Sequence, residues 1–318
     1  MKVLVCDPIH PDGLAALTKA GLDVEDNHSL TPEQLEKRIS EFDAVVVRGR
    51  TKITAAVLNA GVKLKAVARS GVGLDNIDLK TARKKSIQII STPAAPTTSV
   101  AELTIGLMLS VLRKIAHADG AMKDGRWIKS ELMGSELKSK AVGVVGAAGR
   151  IGLEVARIVV QGFGSKAIGY DVIDVSQKAR EIGFRAVPEL ANLLKEADIV
   201  TIHVPYLPST HHLINEEAIR EMKNGAILIN PSRGDIIDGQ ALLGALKSGK
   251  LAGAGLDVLH KEPPVDDWEK ELTHMPNVVC TPHIGAQTVE CQRLESTMVA
   301  EELIRILKSN TLQLGGLG

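Results

Sequence analysis

The chain has 318 residues, enough for roughly two domains with well-buried cores. Its 38 basic and 38 acidic residues balance, and only 2% of its residues are aromatic, so the composition disfavours a nucleic-acid partner. Apolar residues make up 44% of the chain, as is typical of a soluble α/β protein.

The three cysteines, Cys6, Cys280 and Cys291, are widely spaced and form no CxxC pair. This spacing predicts neither a zinc site nor a disulfide framework. The segment from Met1 to Asp7 is typical of a strand rather than of a signal peptide, and no apolar run reaches the length of about 20 residues that spans a membrane. We therefore expect a reduced, cytoplasmic protein with no metal and no membrane contact.

The first third of the chain alternates strands and helices. Thr31 to Gln34 form a capping box with proline at the first helical position, which predicts a helix to about Ser40. The predicted strands are Lys2 to Cys6, Ala44 to Val47, Leu64 to Ala68 and Ile87 to Ile90, with further helices from Pro11 to Gly21, after Thr54 and after Asp78. Such alternation predicts a parallel sheet covered by helices.

One long helix is predicted from about Thr98 to Lys123, and it is apolar nearly all round between Val100 and Leu112. A helix of this kind is buried between two layers or two subunits. We interpret it as the crossing between domains and consider it for a dimer interface.

A second alternating series follows. Its predicted strands are Ala141 to Val145, Lys166 to Tyr170, Ile199 to His203, Ala226 to Asn230, Ala252 to Leu256 and Val278 to Cys280, with helices from near Arg150, Pro188, Asn215 and Asp238. An amphipathic helix from about Thr288 to Lys308 is long enough to return to the first domain. The tail from Gly315 to Gly318 is expected to be disordered.

The turn after the strand Ala141 to Val145 is rich in glycine, from Gly146 to Gly152, and it opens a helix. Free N–H groups at a helix N-terminus bind a pyrophosphate, although the spacing departs from GxGxxG and an ordinary βα turn is the alternative. Asp171 closes the next strand, where an acid binds the adenosine ribose and repels a 2′-phosphate. This pattern favours NAD over NADP; the alternative for Asp171 is an acid that only caps a turn.

Arg233, Glu262 and His283 follow predicted strands, in segments bounded by glycine or proline. Arginine holds a carboxylate and polarises a carbonyl, histidine takes a hydroxyl proton, and glutamate orients that histidine. Together they predict oxidation of a hydroxy acid. Each residue has a structural alternative. Arg233 would pair with a helix C-terminus, Glu262 would be a solvent-exposed loop acid, and His283 would make its hydrogen bonds within its own turn.

Three arginines, Arg48, Arg50 and Arg69, lie at the ends of neighbouring predicted strands. Guanidinium groups bind phosphate in a fixed fork, so these residues are a candidate dianion site, with ordinary surface arginines as the alternative. His211 and His212 lack a third ligand at a useful spacing and predict a solvated loop rather than a metal site.

Many ordered segments resemble the D-isomer-specific 2-hydroxyacid dehydrogenases, over nearly the whole chain. They are Arg69 to Asn76, Ser99 to Leu103, Met122 to Trp127, Gly149 to Gly152, His203 to Pro205 with Pro208 to Thr210, and the segments of Arg233, Asp257, Glu262 and His283. The resemblance implies an α/β fold of two doubly wound parallel-sheet domains. A Rossmann-type NAD-binding domain (99–286) would be inserted in a flavodoxin-like substrate domain (1–98 and 287–318), with the active site in the cleft between them.

The resemblance also implies roles for individual residues. Arg233 would bind the substrate carboxylate and C2 oxygen, His283 would be the acid/base, and Glu262 its partner. The implied NAD contacts are Gly149, Arg150, Ile151, Gly152, Asp171, Val204, Pro205, Pro231, Ser232, Arg233, Asp257, His283, Gly285 and Ala286. The implied substrate contacts are Arg48, Arg50, Arg69, Ser70, Gly71, Val72 and Gly73.

Within the family, the match favours the enzymes that oxidise 3-phospho-D-glycerate to 3-phosphohydroxypyruvate, the first step of phosphorylated serine biosynthesis. A glyoxylate or hydroxypyruvate reductase is the alternative in the same class, and an NAD-sensing binding protein the alternative in another. Pro96 stands where many of the phosphoglycerate enzymes carry a substrate-contacting asparagine, which weakens the phosphate assignment. A homodimer or homotetramer is expected, and the short chain predicts no C-terminal regulatory domain.

Overall fold

The structure is a computed structural model that describes residues 1–312 of the chain. Its strands, in chain order, are β1 (Lys2–Val5), β2 (Asp23–Asp26), β3 (Ala44–Val47), β4 (Ala66–Arg69), β5 (Gln88–Ile90), β6 (Ala141–Val145), β7 (Lys166–Tyr170), β8 (Arg185–Ala186), β9 (Ile199–Ile202), β10 (Ala226–Asn230), β11 (Leu251–Leu256) and β12 (Val278–Cys280).

The α-helices are α1 (Pro11–Lys19), α2 (Pro32–Arg38), α3 (Ala55–Ala60), α4 (Leu79–Lys84), α5 (Thr97–Leu112), α6 (Ile115–Lys123), α7 (Arg150–Arg157), α8 (Ser176–Ile182), α9 (Leu190–Glu196), α10 (Glu216–Glu221), α11 (Gly239–Lys247), α12 (Asp267–His274) and α13 (Val289–Leu312). The predicted tail from Gly315 to Gly318 lies outside the described residues.

The chain divides into two compact units. Unit 1 comprises Met1–Pro96 and the chain from Ala286 onward, and unit 2 comprises Thr97–Gly285. These bounds lie within two residues of the predicted domain bounds. The division of function between the two domains stays a prediction.

Unit 1 is built on a parallel sheet with the strand order β2-β1-β3-β4-β5, the flavodoxin-like order. One face of the sheet packs against a core that includes Phe42 and Leu58. The other face packs against α1 and α13, with Leu17 and Leu303 fully buried. Buried apolar strands such as β3 place their polar connections at the two ends of the sheet.

Unit 2 is built on a parallel sheet with the order β12-β11-β10-β9-β6-β7-β8. The order reverses between β6 and β9, as in Rossmann folds, and ligands bind where the carboxyl ends of such strands diverge. Strands β9 and β10 are buried along their whole length, which explains their unbroken apolar sequence. The predicted fold class is confirmed.

The single long helix predicted from Thr98 to Lys123 is wrong. The helix α5 ends at Leu112 and α6 begins at Ile115, because Lys114 adopts a left-handed backbone with a φ of +54°. Neither glycine nor proline marks this break, so the sequence pattern does not reveal it.

The prediction also missed β2, β8, α8 and α12. Three of the four residues of β2 are acidic and the strand lies at the sheet edge, so it lacks an apolar pattern. Helices α8 and α12 bury only one and two residues each, which leaves little helical periodicity in the sequence. Within residues 1–312, no helix is long and apolar enough to cross a membrane.

Candidate active site

The glycine-rich turn after β6 is packed too tightly for side chains at two positions. A Cβ on Gly146, whose φ is +89°, would lie 2.6 Å from the carbonyl oxygen of His203. A Cβ on Gly152 would lie 2.3 Å from the carbonyl oxygen of Gly146. The turn therefore folds closely onto the start of α7, whose first N–H groups have no intrahelical acceptor and fit the pyrophosphate of a dinucleotide.

Asp171 is tied to this turn. Its Oδ2 accepts the Ala148 N–H at 2.9 Å, and its Oδ1 accepts the Ile173 N–H at 3.4 Å. The carboxylate retains lone pairs that can accept ribose hydroxyls. Beside it, Val172 and Ile173 are 89% and 62% exposed, an apolar rim that a purine ring could cover and that was not among the predicted site residues. The residues present thus fit the adenosine half of NAD.

The segment after β9 supports the turn from the other side. The N–H of His203 donates to Val145, and its Nε2 lies 3.0 Å from the Thr201 hydroxyl. Burial lowers the pKa of His203 to about 3, so the imidazole stays neutral. Val204 and Pro205 follow His203 at the reversal of strand order, and their cofactor contacts stay a prediction.

The turn that carries Arg233 is organised by Asn230, the last residue of β10. The Asn230 Oδ1 accepts the Ser232 N–H at 3.0 Å and hydroxyl at 2.7 Å, while Nδ2 donates to the Arg233 carbonyl at 2.8 Å. The Arg233 guanidinium donates to the Ser232 carbonyl at 2.7 Å. Asn230 is 1% exposed and was not among the predicted site residues. An apolar strand that ends in an asparagine was the available signal.

Asp257, which follows β11, organises the next loop in the same way. Its Oδ1 accepts the Thr281 hydroxyl at 2.6 Å and the Ile284 N–H at 2.8 Å, and its Oδ2 accepts the Gly285 N–H at 2.8 Å. Burial raises the pKa of Asp257 despite these hydrogen bonds. The geometry gives Asp257 a role in holding the loop of His283, and its predicted NAD contact stays a prediction.

His283 and Glu262 form a direct pair. The imidazole Nδ1 lies 2.8 Å from the Glu262 Oε2, and both side chains are partly exposed. Partial burial would raise the pKa of Glu262, but the hydrogen bond and charge of His283, the Leu259 N–H and the charge of Arg233 together lower it. With Glu262 ionised, Nδ1–H donates and Nε2 is available for proton transfer.

A close backbone approach brings the Arg233 turn to the Glu262 loop. A Cβ on Gly234 would lie 2.1 Å from the Leu259 carbonyl oxygen and 2.5 Å from the His260 nitrogen. His260 also contacts Asp235 through its Nδ1, which joins the same two segments. The backbone next to Arg233 thus contacts the loop of Glu262, and Glu262 in turn pairs with His283.

The predicted substrate residues of unit 1 are held by internal contacts. Arg50 donates from Nε to Asp7 at 3.0 Å and from Nη2 to the Cys6 and His28 carbonyls at 2.7 Å. This arrangement gives Arg50 a structural role, and its substrate contact stays a prediction. The Arg48 N–H donates to Asp7 at 2.6 Å, and its Nη2 lies 3.9 Å from Glu295.

Arg69 and the segment Ser70 to Gly73 lie at the end of β4. The Arg69 guanidinium donates to the Ser70 carbonyl at 3.2 Å, and Ser70 is 2% exposed. The Gly71 N–H donates to the Thr92 hydroxyl at 2.9 Å. The Gly71 N–H is thus already used within the chain, and the backbone contact of Gly71 to Gly73 with a substrate carboxylate stays a prediction.

Two further predictions concern metals and thiols. Within residues 1–312, no three His, Cys, Asp or Glu side chains are grouped to hold a metal ion. Burial raises the pKa of Cys6 to about 12 and that of Cys280 to about 11, so both thiols stay protonated at neutral pH. His211 and His212 stack on each other, with ring centroids 3.9 Å apart.

Known proteins are similar to this chain in both sequence and fold. The family model of the "D-isomer specific 2-hydroxyacid dehydrogenase, NAD binding domain" matches residues 105–285, all of which lie in unit 2. The chain is 42% identical over 308 residues to the D-3-phosphoglycerate dehydrogenase of Methanocaldococcus jannaschii, covering 97% of this chain and 58% of the relative. The chain belongs to the D-isomer-specific 2-hydroxyacid dehydrogenase family.

Two other members bear on the finer assignment. The hydroxypyruvate reductase of Thermotoga maritima is 43% identical over 307 residues, covering 96% of this chain and 98% of the relative. The structure of the D-lactate dehydrogenase of Aquifex aeolicus, complexed with NAD and lactic acid, matches with a TM-score of 0.82 at 31% identity, covering 98% and 96%. The chain spans 58% of the length of the Methanocaldococcus relative. The predicted family and NAD as its cofactor are confirmed.

Proposed function

We propose that the chain is an NAD-dependent dehydrogenase that interconverts D-2-hydroxy acids and 2-oxo acids. The observation that carries this proposal is the His283–Glu262 pair at 2.8 Å, with the charge of Arg233 acting on the same carboxylate. A protein that only senses NAD has no need of a proton carrier beside a guanidinium group. The presence of Arg233, Glu262 and His283 together (the trio) therefore disfavours the NAD-sensing alternative.

The residues of the trio have distinct roles in this proposal. Arg233 binds the substrate carboxylate and stabilises charge on the C2 oxygen. His283 removes the C2 hydroxyl proton through Nε2, and the ionised Glu262 stabilises the imidazolium that forms. The glycine turn and Asp171 would hold NAD, which would supply the hydride acceptor. In the reverse direction His283 returns the proton to the oxygen.

The sequence predicts 3-phospho-D-glycerate as the substrate, in the first step of phosphorylated serine biosynthesis. The identity to the Methanocaldococcus D-3-phosphoglycerate dehydrogenase supports this prediction. The second candidate is a glyoxylate or hydroxypyruvate reductase. The Thermotoga hydroxypyruvate reductase favours it, because the alignment covers 98% of that relative. We also propose that the protein is cytoplasmic and forms a homodimer or homotetramer.

A panel of D-hydroxy acids and 2-oxo acids, followed at the absorbance band of the reduced nicotinamide, tests the proposal. The panel contains 3-phospho-D-glycerate, D-glycerate, D-lactate, hydroxypyruvate and glyoxylate, each with NAD(H) and NADP(H). We expect turnover with at least one acid and a preference for the non-phosphorylated cofactor, because Asp171 repels a 2′-phosphate. Absence of turnover with every acid, while NAD still binds, would favour the sensing alternative.

A further inference from the structure

The buried face of α12 carries a carboxylic acid that the proposed reaction does not use. The helix buries two side chains, Glu269 and Leu272, which are three positions apart and lie on one face. Glu269 is 0% exposed, and burial of a polar group is costly unless the group makes a hydrogen bond. An apolar side chain would fill this position at a lower cost, so the bond that Glu269 makes is the feature to explain.

Glu269 bonds the backbone beside Glu262. Its Oε1 accepts the Lys261 N–H at 2.9 Å, whereas its Oε2 is buried and has no hydrogen-bond partner within residues 1–312. Lys261 directly precedes Glu262 in the chain. The bond therefore anchors the backbone to α12 one residue before Glu262.

A second link between this segment and the start of α12 is exposed to solvent. The Lys261 Nζ lies 2.9 Å from the Asp266 Oδ2, and the two side chains are 46% and 37% exposed. An ion pair in such a position contributes little to stability. Loss of the Glu269 bond would instead leave a backbone N–H without its acceptor, which is costly wherever water cannot replace it. The bond to the buried carboxyl group is therefore the firmer of the two links.

The geometry of the His283–Glu262 pair depends on the backbone that carries Glu262. The side chains of His283 and Glu262 are 48% and 40% exposed, so packing does not fix the carboxylate that lies 2.8 Å from the imidazole. The other carboxylate oxygen of Glu262 accepts the Leu259 N–H at 3.3 Å, which is a long hydrogen bond. A shift of the backbone before Glu262 would therefore move its carboxylate away from the imidazole.

We propose that Glu269 is a positioning residue for the acid–base pair. By accepting the Lys261 N–H, it holds Glu262 at the place where the Glu262 carboxylate bonds the Nδ1 of His283. The role requires a hydrogen-bond acceptor at position 269 and not a negative charge. The inference rests on the proposed dehydrogenase function and adds to it a residue that acts only through Glu262.

The first test compares Glu269→Leu, which removes the acceptor, with Glu269→Gln, which keeps one. We expect kcat of Glu269→Leu to fall at least about tenfold, because small misplacements of reacting groups are costly. The Kd for NAD, measured by calorimetry, should change less than about twofold, since the glycine turn that would bind the pyrophosphate follows a different strand. Glu269→Gln should keep kcat within about threefold of the wild type, because its amide oxygen also accepts.

The matched control is Glu271→Leu, which changes an exposed acid on the same helix and should match the wild type. Glu269→Met, whose flexible side chain adapts to irregular space, replaces Glu269→Leu if the latter does not fold. Wild-type kcat in the folded apolar variant would overturn the inference, and so would a Glu269→Gln variant as impaired as Glu269→Leu.

A double-mutant cycle separates positioning of Glu262 from general damage to the fold. If Glu269 acts through Glu262, Glu269→Leu should lower kcat no further in a Glu262→Ala background, because the side chain that it positions is already absent. An equal loss of kcat in both backgrounds would contradict the proposed route.

The tautomer of His283 gives a readout that does not depend on turnover. Nitrogen NMR is recorded at alkaline pH on protein with labelled histidine, and the His283 signals are identified by their loss in His283→Ala. In the wild type and Glu269→Gln, the neutral imidazole should carry its proton on Nδ1, facing Glu262. In Glu269→Leu the proton should shift towards Nε2, the position that free histidine prefers. An unchanged tautomer in Glu269→Leu would overturn the inference.

Failure of the dehydrogenase proposal has a different signature. No acid would then reduce NAD with the wild-type protein. The comparison of His283 tautomers would still decide whether Glu269 positions Glu262.

Discussion

His283 is fixed at both its backbone and its side chain. Its φ of +55° lies in the left-handed region, and its N–H donates to the carbonyls of Asp257 at 2.8 Å and Thr281 at 3.0 Å. A residue other than glycine in this region carries strain on the order of 1–3 kcal/mol, so surrounding contacts must hold it there. The imidazole is held separately by Glu262. This arrangement orients Nε2 before any substrate binds.

Removing either reacting side chain should abolish most turnover. We expect His283→Ala and Arg233→Ala each to lower kcat by about 10²–10⁴-fold, because the first removes the proton acceptor and the second the charge on the C2 oxygen. NAD affinity, measured by calorimetry, should change only a few-fold. The matched controls are His274→Ala and Arg220→Ala, which alter exposed residues on α12 and α10. Near-normal turnover in either site variant would refute the assignment.

The Glu262–His283 pair should stabilise the fold in a defined pH range. The pKa of Glu262 is lowered from 4.5, so the folded state favours the ionised carboxylate. Such a contribution is fully present above the ordinary pKa and is lost as the pH falls through the lowered value. The difference in free energy of unfolding between the wild type and Glu262→Gln, measured in urea, should narrow as the pH falls below about 5.

The control for this measurement is Glu217→Gln, which changes an exposed acid on α10. It should show no comparable dependence on pH. A Glu262→Gln difference that does not narrow as the pH falls below about 5 would contradict the lowered pKa.

At the scale of elements, the turns after β10, β11 and β12 hold one another. The Asp257 N–H donates to the Asn230 carbonyl at 3.0 Å, and the Asp257 carboxylate then holds the loop of His283. Because these three strands are parallel neighbours, their carboxyl ends meet at one edge of the sheet. The geometry of the candidate site therefore follows from strand pairing and two buried polar side chains.

The contact at Gly234 should be sensitive to a single methyl group. In Gly234→Ala, the Cβ would lie 2.1 Å from a backbone oxygen of Leu259, so the Arg233 turn and the Glu262 loop must separate. We expect kcat/KM to fall at least about tenfold, because small misplacements of reacting groups are costly. Gly244→Ala is the control: nothing lies within 4 Å of its Cβ, and alanine in α11 should stabilise the fold by about 0.5–1 kcal/mol. Unchanged kinetics in Gly234→Ala would show that the contact does not position the trio.

The glycine turn should also not tolerate an added methyl group, and the affected quantity is the affinity for NAD. In Gly152→Ala, the Cβ would lie 2.3 Å from the Gly146 oxygen and displace the turn from α7. We expect the Kd for NAD, measured by calorimetry, to rise at least about tenfold, because the pyrophosphate loses its N–H donors. Gly244→Ala again serves as the control. An unaltered Kd in Gly152→Ala would argue against pyrophosphate binding at this turn.

Elements whose signals lie within a few neighbouring residues could be predicted from the sequence. The strands β3, β6, β7, β10 and β12 were predicted with their exact bounds, because each is a largely apolar run flanked by polar, glycine or proline residues. The caps at Thr31, Thr54 and Asp78 were likewise visible, since a capping side chain bonds only a few residues away. The break at Lys114 was invisible because it depends on a single backbone angle.

The candidate site was predicted only in part, for a related physical reason. Arg233, Glu262 and His283 occur in segments whose chemistry and resemblance marked them. Asn230 bonds residues only two and three positions away, so its signal was present in the sequence but was not used. Glu295 lies beside Arg48, which is far away in the sequence, and sequence spacing alone does not show such a contact. The same applies to Arg50, whose partners Asp7, Cys6 and His28 lie far away in the sequence.

At the scale of the whole molecule, unit 2 gathers the cofactor turn and the acid–base group on one parallel sheet. The glycine turn follows β6, Asp171 follows β7, and the segments of Arg233 and His283 follow β10 and β12. Ligands bind outside the carboxyl ends of such strands, near the point where strand order reverses. In the proposed function, this shared edge would hold the dinucleotide and place the proton carrier beside the C2 hydroxyl of the substrate.

The most direct test of the account is the transfer of deuterium from C2 of labelled D-hydroxy acids to NAD. The D-hydroxy acids of the panel are labelled with deuterium at C2, and the cofactor produced by the wild type and by His283→Ala is analysed by mass spectrometry. Deuterium should appear in the reduced cofactor of the wild type, at a rate slowed by the label, and His283→Ala should form the labelled cofactor orders of magnitude more slowly. Reduced cofactor without deuterium, or His283→Ala forming labelled cofactor at the wild-type rate, would contradict it.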